Sequence, residues 1–154
     1  MKFDQATLDA IQEEFMARTI FLEVLPHDLM RIVTVGDWVK DKETGEQIIS
    51  VADMDDENMN ALILVHELIE YLLCKHDGVT EQQVDDYDNA HLDDDDPGLN
   101  SDAPYHKQHM IAFSIEILMA GLLGVDWKKY CDKIEEVFDS VKEIYDARVA
   151  QRSK

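Results

Sequence analysis

Basic residues are scarce in this sequence, and their scarcity excludes two kinds of partner. The chain has 154 residues, with 14 Lys and Arg against 34 Asp and Glu, so its formal net charge is −20. Binding to nucleic-acid phosphates needs clustered Lys and Arg, so direct nucleic-acid binding is not expected. The same charge disfavours attachment to an anionic membrane surface.

Cysteines and long apolar runs are also scarce. Cys74 and Cys131 are too few for a disulfide framework or a zinc knuckle, and Cys74 is expected to be a buried thiol. The longest apolar run, 110–125, carries Glu116 in its middle and is too short to span a bilayer. The N-terminus has no apolar stretch of the kind found in signal peptides. These absences predict a cytoplasmic protein.

What is present favours a globular α+β fold. An apolar fraction of 45%, with 3 Pro and 6 Gly, is typical of a folded protein, and we expect a single domain over 1–154. β-Branched segments predict a small three-stranded sheet, antiparallel or mixed, within about 19–52, and apolar periodicity predicts a helical bundle packed with it. The predicted strands are 19–25, 30–39 and 47–52, and the predicted helices are 6–17, 57–76, 80–87, 104–123 and 127–149.

An acidic loop is predicted at about 85–102. This stretch contains eight Asp and neither Lys nor Arg. An EF-hand register that begins at Asp93 places Pro104 where the bidentate Glu belongs, so a calcium loop of that type is excluded. We expect a solvated loop, and the alternative is a loop that becomes ordered on a cation or a basic partner.

The first candidate site lies on the helix predicted at 57–76. Its sequence LILVHELIEYLLC is almost entirely apolar but includes His66, Glu67 and Glu70. On a helix, His66 and Glu70 are one turn apart with Glu67 beside them. This is the H-E-x-x-H layout of metallohydrolases with Glu in place of the second His. Apolar residues lie above and below in the same sector, which argues against an ordinary solvent-facing stripe.

A second pair of polar residues lies on the otherwise apolar helix predicted at 104–123. His109 and Glu116 are seven residues apart and therefore share one helix face. Glu116 is the only charged residue within 110–125. Burying an unpaired carboxylate costs several kcal/mol, so Glu116 needs a partner.

Packing the two helices together would gather these side chains into one buried cluster. The predicted metal ligands are His66, Glu70, His109 and Glu116. Mixed imidazole and carboxylate ligands suit a divalent metal such as Zn, Mn or Fe. Glu67 is the predicted catalytic general base, by analogy with its place in H-E-x-x-H. The structural alternative is a metal-free hydrogen-bonded network that holds the helices in register.

Other polar residues give weaker signals. His106 is a candidate spare ligand or outer partner of the cluster, and Asp85 and Asp88 are close enough in sequence to reach it. The remaining histidines are expected at the surface, and they are His27, His76 and His91.

The last predicted helix repeats apolar residues at spacings of three and four. These residues are Ile134, Val137, Val141 and Ile144. We expect this stripe to pack on the core, and the alternative is a homodimer through the C-terminal helix.

Several motifs resemble a family of small proteins encoded by bacteriophages and prophages. They are VTVGDW, HELIE, DAPYHKQHMIAFSIE and LGVDWKKY, which span roughly residues 20–130. The resemblance implies a phage origin and the cytoplasm of an infected bacterium, and it implies no particular activity. The matching positions include Gly36, Asp37, Trp38, His66, Glu67, Glu70, His109 and Glu116.

The order of strands followed by a helix with H-E-x-x also resembles the zincin-type core of metallopeptidases. Glu70 stands where that pattern has its second His, so this sequence departs from the pattern at a metal ligand.

Three functions therefore stand as hypotheses. The first is a zincin-like, metal-dependent hydrolase built on the His/Glu cluster. The second is a non-enzymatic phage protein that acts on a host protein as an acidic mimic of nucleic acid, which the charge of −20 favours. The third is a Mg-dependent nucleotide hydrolase, which the predicted strands and the His content count against. The sequence names no substrate.

Overall fold

A three-stranded mixed sheet opens the fold in a computed structural model that describes residues 4–5, 19–92, 94 and 96–152. Its strands are β1 (Ile20–Leu25), β2 (Gly36–Lys40) and β3 (Gln47–Ala52). The strand order is β1-β3-β2, and β3 runs parallel to β1 and antiparallel to β2. The sheet confirms the mixed form of the prediction.

Four α-helices follow within the described residues. They are α1 (Glu57–Asp77), α2 (Glu81–Ala90), α3 (His106–Leu123) and α4 (Trp127–Arg152). Short 3-10 turns lie at His27–Leu29 and Pro97–Leu99. The α+β fold is therefore confirmed, and the three long helices end within three residues of their predicted bounds. None of the helices described is both long and apolar enough to cross a membrane.

Local side-chain chemistry explains where α1 begins and ends. The Asp56 side chain accepts hydrogen bonds from the backbone N–H groups of Asn58 and Met59, which satisfies free donors of the first turn. Gly78 follows the helix with φ at +78°, a left-handed conformation that favours glycine and ends the helix. These caps fix the register of the helix that carries His66 and Glu70.

Two segments differ from their predicted form. Strand β2 begins at Gly36 rather than at residue 30, because the Thr34 hydroxyl donates to the Gly36 carbonyl and closes a local turn. Helix α2 continues to Ala90, so the first part of the predicted acidic loop is helical. The helix predicted at 6–17 lies outside the described residues.

The main apolar core lies where α1 meets the sheet and α4. Leu62 of α1 and Val51 of β3 are fully buried there, as are Tyr130 and Val137 of α4. Val141 belongs to the same cluster, and Ile134 packs against it. The apolar stripe of α4 is thus used in the core, as expected. Cys74 lies in a second buried cluster, which confirms the predicted buried thiol.

Candidate metal centre

The candidate site lies where α1 packs on α3. His66 and Glu70 come from successive turns of α1, and His109 and Glu116 come from one face of α3. All four side chains are buried. The structure therefore brings together the four residues that helical spacing singled out.

Three of their atoms face one another in a small triangle. His66 Nε2 lies 3.1 Å from His109 Nδ1, and Glu70 Oε2 lies 2.9 Å from His109 Nδ1 and 3.6 Å from His66 Nε2. A metal bonded at about 2.1 Å spaces its ligands roughly 3.0 Å apart in octahedral geometry and 3.4 Å in tetrahedral geometry. The triangle has this size, so the group formed by His66, Glu70 and His109 could hold a metal ion.

The other nitrogen of each imidazole meets a carboxylate. His66 Nδ1 lies 2.7 Å from Glu116 Oε2, and His109 Nε2 lies 3.2 Å from Asp96 Oδ2. In metal sites, a carboxylate on the outer nitrogen fixes the tautomer and the ring orientation of a ligating histidine. Both rings of the cluster are held in this way.

The two glutamates are held at their second oxygen as well. The Trp38 indole N–H donates to Glu70 Oε1 at 3.2 Å, and the Tyr130 hydroxyl donates to Glu116 Oε1. Because buried carboxyl groups are costly unless they are hydrogen-bonded, these aromatic donors lower the cost of burying both side chains.

Protonation of the metal-free cluster follows from its burial and its charges. Burial lowers the pKa of both imidazoles, but their carboxylate partners outweigh it. The pKa of His66 is raised well above 6.5, and that of His109 is raised to about 9. Burial raises the pKa of Glu70, but its hydrogen bonds with His109 and His66 dominate and lower it to about 2. The carboxylates of the metal-free cluster therefore favour positive charge on the two imidazoles.

Glu67 lies beside the triangle, against strand β2. A Cβ added to Gly36 would lie 2.3 Å from Glu67 Oε1, so only glycine allows this approach. Glu67 keeps some exposed surface, but the side chain lines a cavity, and burial together with the Glu70 charge raises its pKa to about 8. Glu67 receives none of the hydrogen bonds found among the described residues.

The cavity beside the cluster has a volume of about 760 Å³, within the range of small-molecule sites. All four cluster residues and Glu67 contribute to its wall. Its apolar wall includes Phe113, Trp127, Ile134 and Phe138. The candidate metal site therefore opens on a space large enough for a substrate.

Acidic residues predicted to reach the cluster line this cavity but have other partners. Arg31 bridges Asp37 at 2.8 Å and Asp85 at 2.9 Å. The Tyr105 hydroxyl donates to Asp88 Oδ1, while burial raises the pKa of Asp88 to about 6. These pairs organise the rim of the cavity rather than the triangle.

The remaining histidines have separate roles. His106 Nδ1 lies 2.9 Å from the Gly98 carbonyl, so this ring is hydrogen-bonded to the turn before α3 and is not part of the triangle. His27 is half-buried rather than a free surface residue, because it bridges Ser140 of α4 and the Asp53 carbonyl at 2.8 Å each. His91 is half-buried and stacks on Tyr87, and His76 is exposed as expected.

Sequence reasoning missed the outer partners of the cluster. Asp96 was one of several similar acids in the predicted loop, and its one distinguishing signal was the Pro97-Gly98 that follows. A Cβ added to Gly98 would lie 2.5 Å from the His109 ring, so the close approach of this turn requires glycine. Tyr130 was also missed, and Trp38 was named only as a matching position of the phage-type motifs, without a role. In both residues the available signal is an apolar ring that ends in a polar group.

Comparison with known proteins gives no further guide: no family model, no curated protein and no solved structure matches this chain. The resemblances to phage proteins and to zincins therefore stay predictions.

Proposed function

We propose that this protein is a metal-dependent hydrolase whose divalent metal is held by His66, Glu70 and His109. One observation carries the proposal. Three ligand atoms converge at 2.9 to 3.6 Å, while the outer nitrogen of each histidine is held by a carboxylate. Outer partners of this kind are typical of metal sites, where they orient the ligands.

A metal-free network is the alternative use of the same atoms. With one of the two rings protonated, the N–H at His109 Nδ1 lies 2.9 Å from Glu70 Oε2 and 3.1 Å from the lone pair of His66 Nε2. The outer nitrogens then donate to Glu116 and Asp96. A metal cation would take the place of that single inner proton, so metal content distinguishes the two states.

Glu116 takes a different role in this proposal from the one its sequence position suggested. Its carboxylate lies on the outer nitrogen of His66, away from the triangle, and its second oxygen accepts from Tyr130. We therefore assign Glu116 as the residue that orients His66, and Asp96 as its counterpart for His109.

The ligand set favours Zn, Mn or Fe. Two imidazoles and one carboxylate are the ligands of many zinc and iron sites, whereas Mg²⁺ prefers oxygen ligands and water. The ligand set thus counts against a Mg-dependent nucleotide hydrolase.

Hydrolysis is the chemistry that best fits the surroundings of the triangle. A divalent metal in such a site acts as a Lewis acid and activates water. Glu67 follows His66 directly in the chain and presents its carboxylate at the cavity wall beside Gly36. The charge of a bound metal would lower the pKa of Glu67 from about 8, and in our proposal the ionised Glu67 accepts the proton of the attacking water and returns it to the leaving group.

The acidic mimic is less well supported. Side chains of the acidic segment are used within the chain, since Asp85 pairs with Arg31, Asp88 with Tyr105, and Asp96 with His109. A mimic needs such carboxylates on its surface in a regular array.

A Glu67→Gln variant tests the hydrolase proposal. The metal-loaded wild-type protein and the variant would be screened with chromogenic peptide and ester substrates, with Glu143→Gln on α4 as the control. We expect at least a hundredfold loss of turnover in the Glu67 variant at unchanged metal content, because a general base contributes about 10²–10⁴-fold. Equal turnover in the variant and the control would contradict the role of Glu67. Absence of turnover in metal-loaded wild type on every substrate would contradict hydrolysis.

A further inference from the structure

Helix α3 exposes an apolar face on the side opposite the metal centre. Leu118 is 63% exposed and Leu122 is 76% exposed, whereas His109 and Glu116 are buried. Five large apolar residues with exposed side chains lie on this outer side, and they are Met110, Ile111, Ile117, Leu118 and Leu122. Soluble helices normally show the reverse pattern, so this face calls for a covering partner.

The exposed face is large enough for a specific contact. These five residues together leave a surface on the order of 500 Å² in solvent, toward the upper end for the largest patch on a typical monomer. Two such faces in contact would bury about 1,000 Å², the area that a biological interface should reach. A scattered set of exposed leucines would not reach that area.

The charge of the face selects the partner. The chain carries −20, yet the exposed side of α3 from Met110 to Leu123 carries no charged residue. An anionic lipid surface presents negative charge across the contact itself and would be repelled by the acidic molecule. A second copy also carries −20, but its face is uncharged, and in a twofold pair the acidic surfaces lie outside the contact, where salt screens their repulsion.

We propose that this face, defined by the five exposed apolar residues on the outer side of α3, forms a twofold-symmetric homodimer. In such an interface each chain contributes the same patch. Ser114 and Gly121 are exposed within the face, and their small size lets two helices approach closely. The apolar stripe of α4 does not form the dimer interface, because Val137 and Val141 are buried in the core of their own chain.

The dimer would place the two metal centres on opposite sides of the paired α3 helices. His109 and Glu116 lie on the inner face of the same helix, so covering the outer face would hold that helix rigidly. The proposal does not depend on a bound metal, since none of its residues belongs to the triangle.

The test is the mass of the full-length protein in solution, measured by light scattering and sedimentation at about 50 μM chain. We expect twice the chain mass of 17.7 kDa for the wild type and the single-chain mass for the double variant Leu118→Glu, Leu122→Glu. Leu29→Glu is the matched control, because Leu29 is 60% exposed but lies outside α3, and it should remain dimeric.

A milder variant distinguishes loss of the dimer from loss of the fold. Leu122→Gln changes a side chain that is already mostly exposed, so it should keep the wild-type circular dichroism and raise the dimer dissociation constant at least tenfold. A wild-type protein that stays at 17.7 kDa would overturn the proposal, and wild-type flotation with zwitterionic vesicles would then assign the face to lipid. Dimers that persist in the double variant would also overturn it.

Discussion

Helices α3 and α4 are neighbours in sequence but use their faces in opposite ways. In α4, Val137 and Val141 are buried and charged residues point outward, as in an ordinary amphipathic helix. In α3, His109 and Glu116 point inward and leucines point outward. The difference separates a helix whose buried residues are mainly apolar from one whose buried face carries candidate metal ligands, although Tyr130 of α4 also donates to Glu116.

The inverted pattern of α3 is costly on both faces. A buried carboxylate such as Glu116 is tolerated because charge-assisted hydrogen bonds from its partners contribute about 1.5–3 kcal/mol each. Its partners are His66 and Tyr130. On the outer face, exposed leucines forgo the free energy that burial would bring. Both departures make sense if the inner face binds a metal and the outer face binds a second chain.

Gly98→Ala should give the largest effect on the α3 site. The added Cβ would lie 2.5 Å from a His109 ring that is held between Asp96 and Glu70, so it must displace either the ring or the turn. We expect a loss of about 3 kcal/mol in the free energy of unfolding, measured by urea denaturation of the metal-free protein. Leu99→Ala, at an exposed neighbour, is the control. Equal stability of the two variants would show that this turn is not packed on His109.

Glu116→Gln should weaken metal binding without abolishing it. The variant removes the charge that orients His66, and loss of an outer carboxylate costs 10–100-fold in metal affinity. Competition with a chelating dye measures this affinity, with Glu143→Gln on α4 as the control. Complete loss of binding would make Glu116 a direct ligand, and unchanged affinity would remove it from the site.

Val137→Ala tests the ordinary side of the comparison. Val137 is fully buried in the main core, so truncation should cost about 2 kcal/mol of unfolding free energy while leaving metal affinity unchanged. Val149→Ala, on an exposed part of α4, should change stability by less than about 0.5 kcal/mol. If Val137→Ala lowered metal affinity, the apolar core under α4 and the candidate site on α3 would not be independent.

Asp77→Asn should give the smallest effect, present near neutral pH and lost in acid. Hydrogen bonds from His76, Lys107 and Gln108 lower the pKa of Asp77 to about 2, and two of these donors lie at the start of α3. A lowered pKa means that the carboxylate stabilises the fold above its ordinary pKa of 3.8 and loses this contribution as the pH falls through 2. Melting temperatures of variant and wild type should therefore converge over this range. A constant difference at every pH would contradict the ionic link.

The sequence predicted most of the fold and the inner part of the site because both depend on helical spacing. His66 and Glu70 are one turn apart, and His109 and Glu116 are two turns apart, so each pair shares a face wherever its helix lies. The intervening apolar residues indicated that both faces are buried. Only the packing of one helix on the other had to be assumed.

The outer part of the site could not be predicted because it depends on tertiary contacts. Asp96 reaches His109 from a turn whose path is fixed by the close approach of Gly98. Trp38 and Tyr130 arrive from β2 and α4, far from the cluster in sequence. The parallel pairing of β1 with β3 was likewise open, since strand patterns alone do not set strand direction.

The most direct test of the metal centre is elemental analysis of protein purified without added metal or chelator. Wild type, His66→Ala and the exposed-site control His76→Ala would be measured together. We predict close to one Zn, Mn or Fe ion per chain in the wild type and the control, and less than about one tenth of that in His66→Ala. A wild type that holds no metal even after reconstitution, or a His66→Ala variant that holds as much as the wild type, would contradict the metal centre.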